Sequence, residues 1–362
     1  MRRMLGADGV QLEVVYGQAF GNENLKKDEG RLSWGHRVKN IYFPIKEKKD
    51  LCWQPLPKTI SNPDLVIFMQ ENRLLANYYW MIRSKFGKTK VAYWGHGRDF
   101  QSQTPRGLRE KFKMATINAV DWWFAYTSIT VDILKKSAFP ASRITLLNNS
   151  IDIAGFREDA DAVSASRLAS MRAEMGIVEG APVGLFCGSI YPDKKPELLI
   201  NAADLIYSAA PQFHLIVIGD GQSAEVIRRA SETRSWLHWV GTKRGVEKAA
   251  YFKLATFVLN PGAVGLHVLD SFALGLPMIT TSSALHGPEI AYLNDGVTGF
   301  TTSDDPVDYA AHVLQLMRSP VLAQEMRNQC LLAGQNYSIQ NMASNFVGGI
   351  LECLKEKEGL SL

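Results

Sequence analysis

Short apolar runs alternate with longer amphipathic stretches along this chain. In the first half "VQLEVVYG", "DLVIFMQ", "KVAYWG", "WWFAYT" and "RITLLNN" read as strands, separated by helical patterns such as "NRLLANYYWMIRSKF". A polar stretch from Asp159 to Glu179 interrupts the rhythm, which then restarts. "VGLFCGSIY", "FHLIVIGDG", "LHWVG", "TFVLNPG" and "PMITT" are the next strands, with helices at "KPELLINAADLIYSAA" and "HVLDSFALG". Such alternation predicts an α/β fold with parallel sheets built from βαβ units.

A chain of 362 residues exceeds what one core usually supports, so two domains are expected. The pattern divides it into residues 1–158, residues 159–337 and a terminal amphipathic helix within 338–362 that packs back across the junction. The second half reads as a complete doubly wound domain. The first opens on "MRRMLGADGVQLEVVYG", the tail of a helix and then a second strand, so its first strand and Gly-rich turn are missing from the pattern.

Charge adds an asymmetry that the pattern does not show. Residues 1–158 hold 25 Lys+Arg against 15 Asp+Glu, whereas the rest of the chain is net negative and the whole only +4. A basic half favours an anionic partner, and phospholipid headgroups suit it better than nucleic acid, for which charge is the only support. Within it, "TPRGLREKFKMATINAV" reads as a helix with Thr104 as N-cap and Pro105 at the first position. Arg106, Arg109, Lys111 and Lys113 make it a candidate membrane-surface helix, and Trp122 and Trp123 follow it, readable as surface anchors or as core. No apolar run reaches the roughly 18 residues of a membrane span, so membrane contact is peripheral. Cys52, Cys187, Cys330 and Cys353 are widely spaced, which suits a reduced, cytoplasmic protein, peripheral at most on the inner face of the cell membrane.

Two segments carry the candidate chemistry. In "GSIYPDKKPELLI" a strand ends at Gly188, a turn carries Lys194 and Lys195, and a helix starts near Pro196, a setting in which a lysine reaches a phosphate. In "PGAVGLHVLDSFALG" the glycines from Gly262 to Gly265 let backbone approach a ligand. The amides of Gly265 and Leu266 open a helix, and Asp270 lies one turn in, where a carboxylate can accept from ribose hydroxyls. No G-x-G-x-x-G follows a strand, which disfavours a dinucleotide-dependent oxidoreductase. Paired carboxylates of the glycosidase kind are not evident, nor is an Asp-x-Asp pair or a His/Cys cluster for a metal.

Taken together, "FCGSIYPDKKPELLINA", "HLIVIGDG", "WVG", "NPGAVGLHVLDSFALGLPMITT" and "HGPEIAYLNDGVTGF" resemble the donor-binding domain of the retaining GT-B glycosyltransferases of family 4, over roughly residues 180 to 345. "VAYWGHGRDFQ" and "LLNNSIDI" resemble that family's strand-end histidine motif and its inter-domain hinge. The resemblance implies two Rossmann-like domains facing a cleft. It implies that Lys194 holds the donor diphosphate, that Gly241 lies near the nucleobase, that Asp270 binds ribose, and that His96 lies near the transferred sugar. Glu289 falls in a loop close to the donor, and Gly188 and Ser189 line it.

Three departures accompany the resemblance. Gly262 stands where the family has the first acid of a pair, leaving sugar recognition to amides, to His267 or to groups elsewhere. Ser189 replaces an arginine. The first strand and its loop are missing. The expectation is metal-independent transfer of a sugar from a nucleotide diphosphate-sugar to a lipid-linked or polysaccharide hydroxyl, with retention, in cell-surface polysaccharide synthesis. A nucleotide-sugar 2-epimerase and a truncated, non-catalytic nucleotide-sugar-binding protein stay open as alternatives.

Overall fold

The computed structural model describes residues 1–18, 30–43, 51–60, 62–98, 100 and 107–355. These fall into two compact units, Met1–Asn148 with Ala343–Leu362, and Asn149–Met342.

In the first unit, helix α1 (Arg2–Ala7) precedes two small strand pairs. Strands β1 (Val15–Tyr16) and β2 (His36–Arg37) are parallel, and β3 (Ile41–Phe43) and β4 (Leu51–Trp53) antiparallel. The long strand expected over "VQLEVVYG" is therefore only its end, Val15–Tyr16. The main sheet is parallel, in the order β5 (Leu65–Met69), β6 (Lys90–Gly95), β7 (Trp122–Ala125), β8 (Ile144–Leu146). Helices α2 (Leu75–Phe86), α3 (Leu108–Ala115) and α4 (Ser128–Lys136) connect its strands. The parallel pair β1–β2 is not hydrogen-bonded to this sheet among the described residues.

Two expectations for this unit change. The basic helix begins at Leu108 with Gly107 as its N-cap, and Thr104, Pro105 and Arg106 lie outside the described residues. Trp122 and Trp123 are core, because β7 is an interior strand whose alternate side chains enter opposite faces of the sheet. Their indole N–H groups donate to Thr145 Oγ1 at 2.8 Å and to the Ile117 carbonyl at 3.0 Å, so burial leaves neither unpaired.

The second unit begins with α5 (Ile153–Asp161) and α6 (Ala165–Glu174). The sequence pattern places a boundary at 158/159 and a polar separator after it, but the chain passes between units ten residues earlier, at Asn148/Asn149. The reason is packing. Both helices are amphipathic, capped by the Asp152 and Ser164 side chains, and they bury Ile153, Phe156, Ala160 and Met171 in the core of this unit. Six parallel strands follow, β9 (Val183–Cys187), β10 (His214–Ile218), β11 (Leu237–Gly241), β12 (Phe257–Leu259), β13 (Met278–Thr281) and β14 (Gly299–Thr302). Helices α7 (Pro196–Ala209), α8 (Ala224–Glu232), α9 (Gly245–Leu254), α10 (His267–Ala273), α11 (Pro306–Arg318) and α12 (Pro320–Asn336) cover them.

The sheet order is β11-β10-β9-β12-β13-β14, so the chain winds outward from β9 in one direction and then from β12 in the other. Period-two alternation gives each strand two cores. Ile216 and Ile218 face one layer of helices, while Leu215 and Val217 face the other.

Helix α13 (Ile339–Lys355) leaves the second unit at Met342 and continues in the first. There the Phe346 ring stacks on Phe124 at 4.5 Å, and the Cys353 carbonyl accepts from Lys90 Nζ at 2.7 Å. Gly349 sits directly on the sheet, where an added Cβ would lie 2.2 Å from Thr145 Oγ1 and 2.8 Å from the Phe124 ring. An exposed helical Gly→Ala change usually gains about 0.5–1 kcal/mol. Here we expect the opposite sign: Gly349→Ala destabilises the first unit by about 1–3 kcal/mol in urea unfolding, because the small residue is what lets the helix close on β8.

Candidate functional site

Carboxyl ends of parallel strands leave a crevice where neighbouring connections diverge, and in the second unit that point lies between β9 and β12. The loops after these two strands meet there. After β9, the Gly188 N–H donates to the Ile218 carbonyl at 3.0 Å and the Ile190 N–H to the Asp220 carbonyl at 2.9 Å. A turn at Pro192–Lys194 then reverses the chain, and Lys195, at φ 52°, caps α7 with Pro196 at its first position. The two adjacent lysines part company at this point. Lys195 reaches Thr281 Oγ1 at 3.0 Å, Ser283 Oγ at 2.7 Å and Asp304 Oδ1 at 2.6 Å, while Lys194 is buried and donates to the Ala263 carbonyl.

Every carbonyl of the segment Pro261–Ala263 is held from inside. Thr281 Oγ1 donates to Pro261 at 2.7 Å, Asn260 Nδ2 to Gly262 at 3.1 Å, and Lys194 to Ala263. The Ala263 N–H is taken by the Asp193 carbonyl at 3.0 Å. His286 holds the next residue, since its Nδ1 accepts from the Val264 N–H at 3.1 Å while its Nε2 lies 2.7 Å from the Thr281 carbonyl. Those two partners define a neutral ring protonated on Nε2, and burial lowers its pKa in agreement. The following amides, of Gly265 and Leu266, have no acceptor among the described residues. Two donors at the start of α10 are thus without an acceptor among the described residues, and nothing lies within 4 Å of where a Gly265 Cβ would be.

Gly262 has a different role from the one its position in the sequence suggests. An added Cβ would lie 2.2 Å from the Asp193 carbonyl oxygen and 2.3 Å from Lys194 Cα. The backbone approach that the glycine permits is to the lysine turn and not to open space, so a side chain is excluded there and a carboxylate cannot be accommodated. Gly219 is constrained in the same way, since an added Cβ there would lie 1.9 Å from the Gly188 carbonyl oxygen.

Around this loop the charged groups are close-set. Burial lowers the Lys194 ammonium to a pKa of about 8. His267 is half-buried with an Nε2 that has no hydrogen-bond partner, and burial together with Lys194, Lys248 and His286 keeps it neutral. Asp270 is buried on α10 and accepts from Lys248 Nζ at 2.7 Å; burial raises its pKa and Lys248 opposes the shift. Cys187, at the end of β9, is pushed up to about 11 by burial. Glu289 is buried in the turn Pro288–Tyr292, where Asn149 Nδ2 lies 3.4 Å from Oε1, and burial raises its pKa.

Of the residues expected from sequence, Lys194, Gly262, Gly265, Leu266, His267 and Asp270 therefore share one neighbourhood. Gly188 belongs to the adjoining loop, Ser189 is exposed, and Gly241 ends β11 in the left-handed region at φ 70°. His96 is in the first unit, at the end of β6, with its ring 4.2 Å from that of Tyr126. Sequence reasoning missed Lys248, His286 and Asn260. Lys248 had a signal, a lysine four residues before Phe252 on an otherwise apolar helix face, and His286 and Asn260 each open a quoted motif segment without having been given a role. Among the described residues no three His, Cys, Asp or Glu side chains are grouped to hold a metal ion. A cavity of about 410 Å³ lies at the opposite ends of the strands, beside Ala181, Thr256 and Pro277, away from this chemistry.

A doubly wound sheet with a lysine turn and open amides at its reversal, in a chain whose first unit also holds a parallel sheet, belongs to an α/β protein of the GT-B glycosyltransferase fold, as the likeness to solved structures shows. Residues 181–319 match the family described as Glycosyl transferases group 1. A D-inositol 3-phosphate glycosyltransferase of Geodermatophilus obscurus is 28% identical over 171 residues, 43% of this chain and 37% of that protein. An alpha-monoglucosyldiacylglycerol synthase of Acholeplasma laidlawii is 21% identical over 179 residues, 47% of this chain and 44% of that one. The matches thus span less than half the length of either relative. Among solved structures, Anabaena Alr3699/HepE in complex with UDP superposes with a TM-score of 0.63 at 15% identity, over 80% of this chain and 78% of its own, a likeness of fold.

The two loop glycines respond differently to a methyl group. We expect Gly262→Ala to cost about 1–3 kcal/mol of second-unit stability in chemical denaturation, since the lysine turn must move, and Gly265→Ala to stay within about 0.5 kcal/mol.

Proposed function

We propose that this chain is a retaining glycosyltransferase that moves a sugar from a nucleoside diphosphate-sugar to a hydroxyl acceptor. One observation carries the reading: a buried lysine and two unpaired backbone amides converge at the reversal point of a doubly wound sheet. We read this group of donors as the site of the donor's diphosphate, since a lysine and helix-opening amides suit an anion. The UDP complex of HepE, a protein of the same fold, supports it.

The chemical difficulty is the leaving group. As the bond between the anomeric carbon and the diphosphate oxygen breaks, negative charge accumulates on the phosphates while the sugar becomes oxocarbenium-like. Lys194 and the amides of Gly265 and Leu266 offset that charge from fixed positions in a partly desolvated loop, so no metal is called for in this scheme. The new bond forms between the same carbon and the acceptor oxygen on the same face. The acceptor proton passes to the departing phosphate oxygen, which gains basicity as it leaves. Asp270 binds the nucleoside's ribose, and His267, whose Nε2 is unpaired, faces the donor. Sugar recognition excludes a carboxylate at Gly262, for want of room. His96 keeps the sequence resemblance as its support.

The acceptor we propose is lipid-linked or a growing polysaccharide, used at the inner face of the cell membrane. The Acholeplasma relative is named for a glycolipid product, and the first unit is basic. On its helix α2, Tyr79, Ile82 and Phe86 form an exposed stripe, Phe86 at 88% exposure, with Arg83, Lys85 and Lys88 beside it. No helix among the described residues is long and apolar enough to cross a membrane. Flotation with anionic vesicles at low salt is expected to carry the protein, and Ile82→Asp with Phe86→Asp to abolish it; an unbound wild-type protein contradicts this acceptor.

Lys194 also sets a pH dependence. Its folded pKa of about 8 means that the free site holds a cation below that pH and loses it above. Turnover per KM for the donor should therefore be level below about 8 and fall as pH rises through it. Lys194→Arg should move that limb upward, because guanidinium stays charged, and Lys194→Ala should lose on the order of 100-fold at neutral pH. An alkaline limb indifferent to Lys194→Arg overturns the assignment, and an inverted product anomer overturns retention.

A further inference from the structure

The ion pair between α9 and α10 has a place in this reading of the site that neither the motif nor the fold explains. Lys248 donates to Asp270 Oδ2 at 2.7 Å, and its ammonium lies 4.7 Å from the centroid of the Phe156 ring and 5.5 Å from that of Phe252. The lysine side chain is 22% exposed and the aspartate 7%. A cation over two aromatic faces is held in position from below, and the carboxylate it grips is held in turn. Asp270 is nonetheless under-coordinated. A carboxylate accepts about four hydrogen bonds, and Lys248 gives the single one found among the described residues; Oδ1 receives none.

We infer that Lys248 is a positioning residue of the nucleotide site, keeping Asp270 ionised and in one orientation so that its remaining oxygen is presented to the nucleoside's sugar. The inference rests on the function proposed above. Three features support a role toward a ligand over a purely structural pair. The gripped carboxylate has acceptor capacity left over, it stands one turn into the helix whose opening amides are unpaired, and the same lysine acts on His267 and on Cys187 at the crevice. The titratable and charged groups around Asp270 are Lys248 from α9, Cys187 from β9 and His267 on its own helix, with Lys194 acting on the last two. Only Lys248 holds the carboxyl's pKa down against burial.

The experiment is calorimetric titration of the whole chain with UDP, GDP and ADP, following the tightest of the three from about pH 6 to about pH 9. The quantity read is the ratio of variant to wild-type affinity, in which the titration of Lys194 cancels. Lys248→Met is expected to bind about ten-fold or more weakly at the acid end, since a hydrogen bond to a charged acceptor is lost when the buried carboxyl takes up a proton. The loss should shrink as pH rises and Asp270 ionises again. Lys248→Arg should restore wild-type behaviour, and Lys248→Met combined with Asp270→Asn should give a ratio that does not change with pH. Should Lys248→Met not fold, Lys248→Gln takes its place, keeping a donor to Oδ2 without the charge, with the same pH-dependent loss expected. A loss of equal size at every pH, or none, overturns the proposal in favour of a structural ion pair. A wild-type chain that binds none of the three nucleotides overturns the proposed function itself.

Discussion

The contact on which this site depends is the packing of the Gly262 backbone against Asp193 and Lys194. It joins the loops after β9 and β12, the two strands from which the chain winds in opposite directions. Without a glycine there the loops cannot close to backbone distance, and Lys194 loses the Ala263 carbonyl that orients it. Sheet order brings the loops to one crevice, and the missing side chain sets their separation. Asn260, Thr281 and His286 then hold the loop's carbonyls and the Val264 amide from within, leaving the Gly265 and Leu266 amides facing outward.

Burial gives these groups their electrostatic character. Desolvation lowers Lys194 and His267 and raises Asp270, so each residue is biased toward its neutral form until a partner of opposite charge is supplied. Lys248 supplies it for Asp270 within the protein. Among the described residues Lys194 hydrogen-bonds only to a neutral carbonyl, with Asp193 acting on it without a hydrogen bond, and it therefore has much to gain from an anion. A buried cation hydrogen-bonded to a carbonyl alone, beside two amides without an acceptor, is difficult to account for as a stabilising feature. That grouping is what a site that stabilises a departing diphosphate requires.

Much of the fold was legible along the chain, since strands such as Val183–Cys187 and His214–Ile218 are continuous apolar runs buried on both faces. Strand β14 was not, because "GFTT" has a single large apolar residue and is defined by its pairing with β13. Helices α5 and α6 were hidden by their charged outer faces and looked like a separator. Lys194, Gly265, Leu266 and Asp270 could be named because they lie in ordered motifs, whereas Lys248 lies outside them and the roles of His286 and Asn260 inside them depend on contacts the motifs do not show. Lys248 and His286 each lie 22 positions from the residue they hold, and only the packing of α9 and α10 against the same helix α5, or the return of the loop after β13, brings them near. Gly262 was legible in part. Its sequence position reports an absent acid, and the space around it shows that the glycine admits the lysine turn where the sequence suggested a ligand.

The most direct test of the account is a crystal structure of the chain with a nucleoside diphosphate bound. The phosphates are expected within hydrogen-bonding distance of Lys194 Nζ and of the Gly265 and Leu266 amides, with the lysine withdrawn from the Ala263 carbonyl. Phosphates bound elsewhere on the second unit, with the lysine still on that carbonyl, would contradict it.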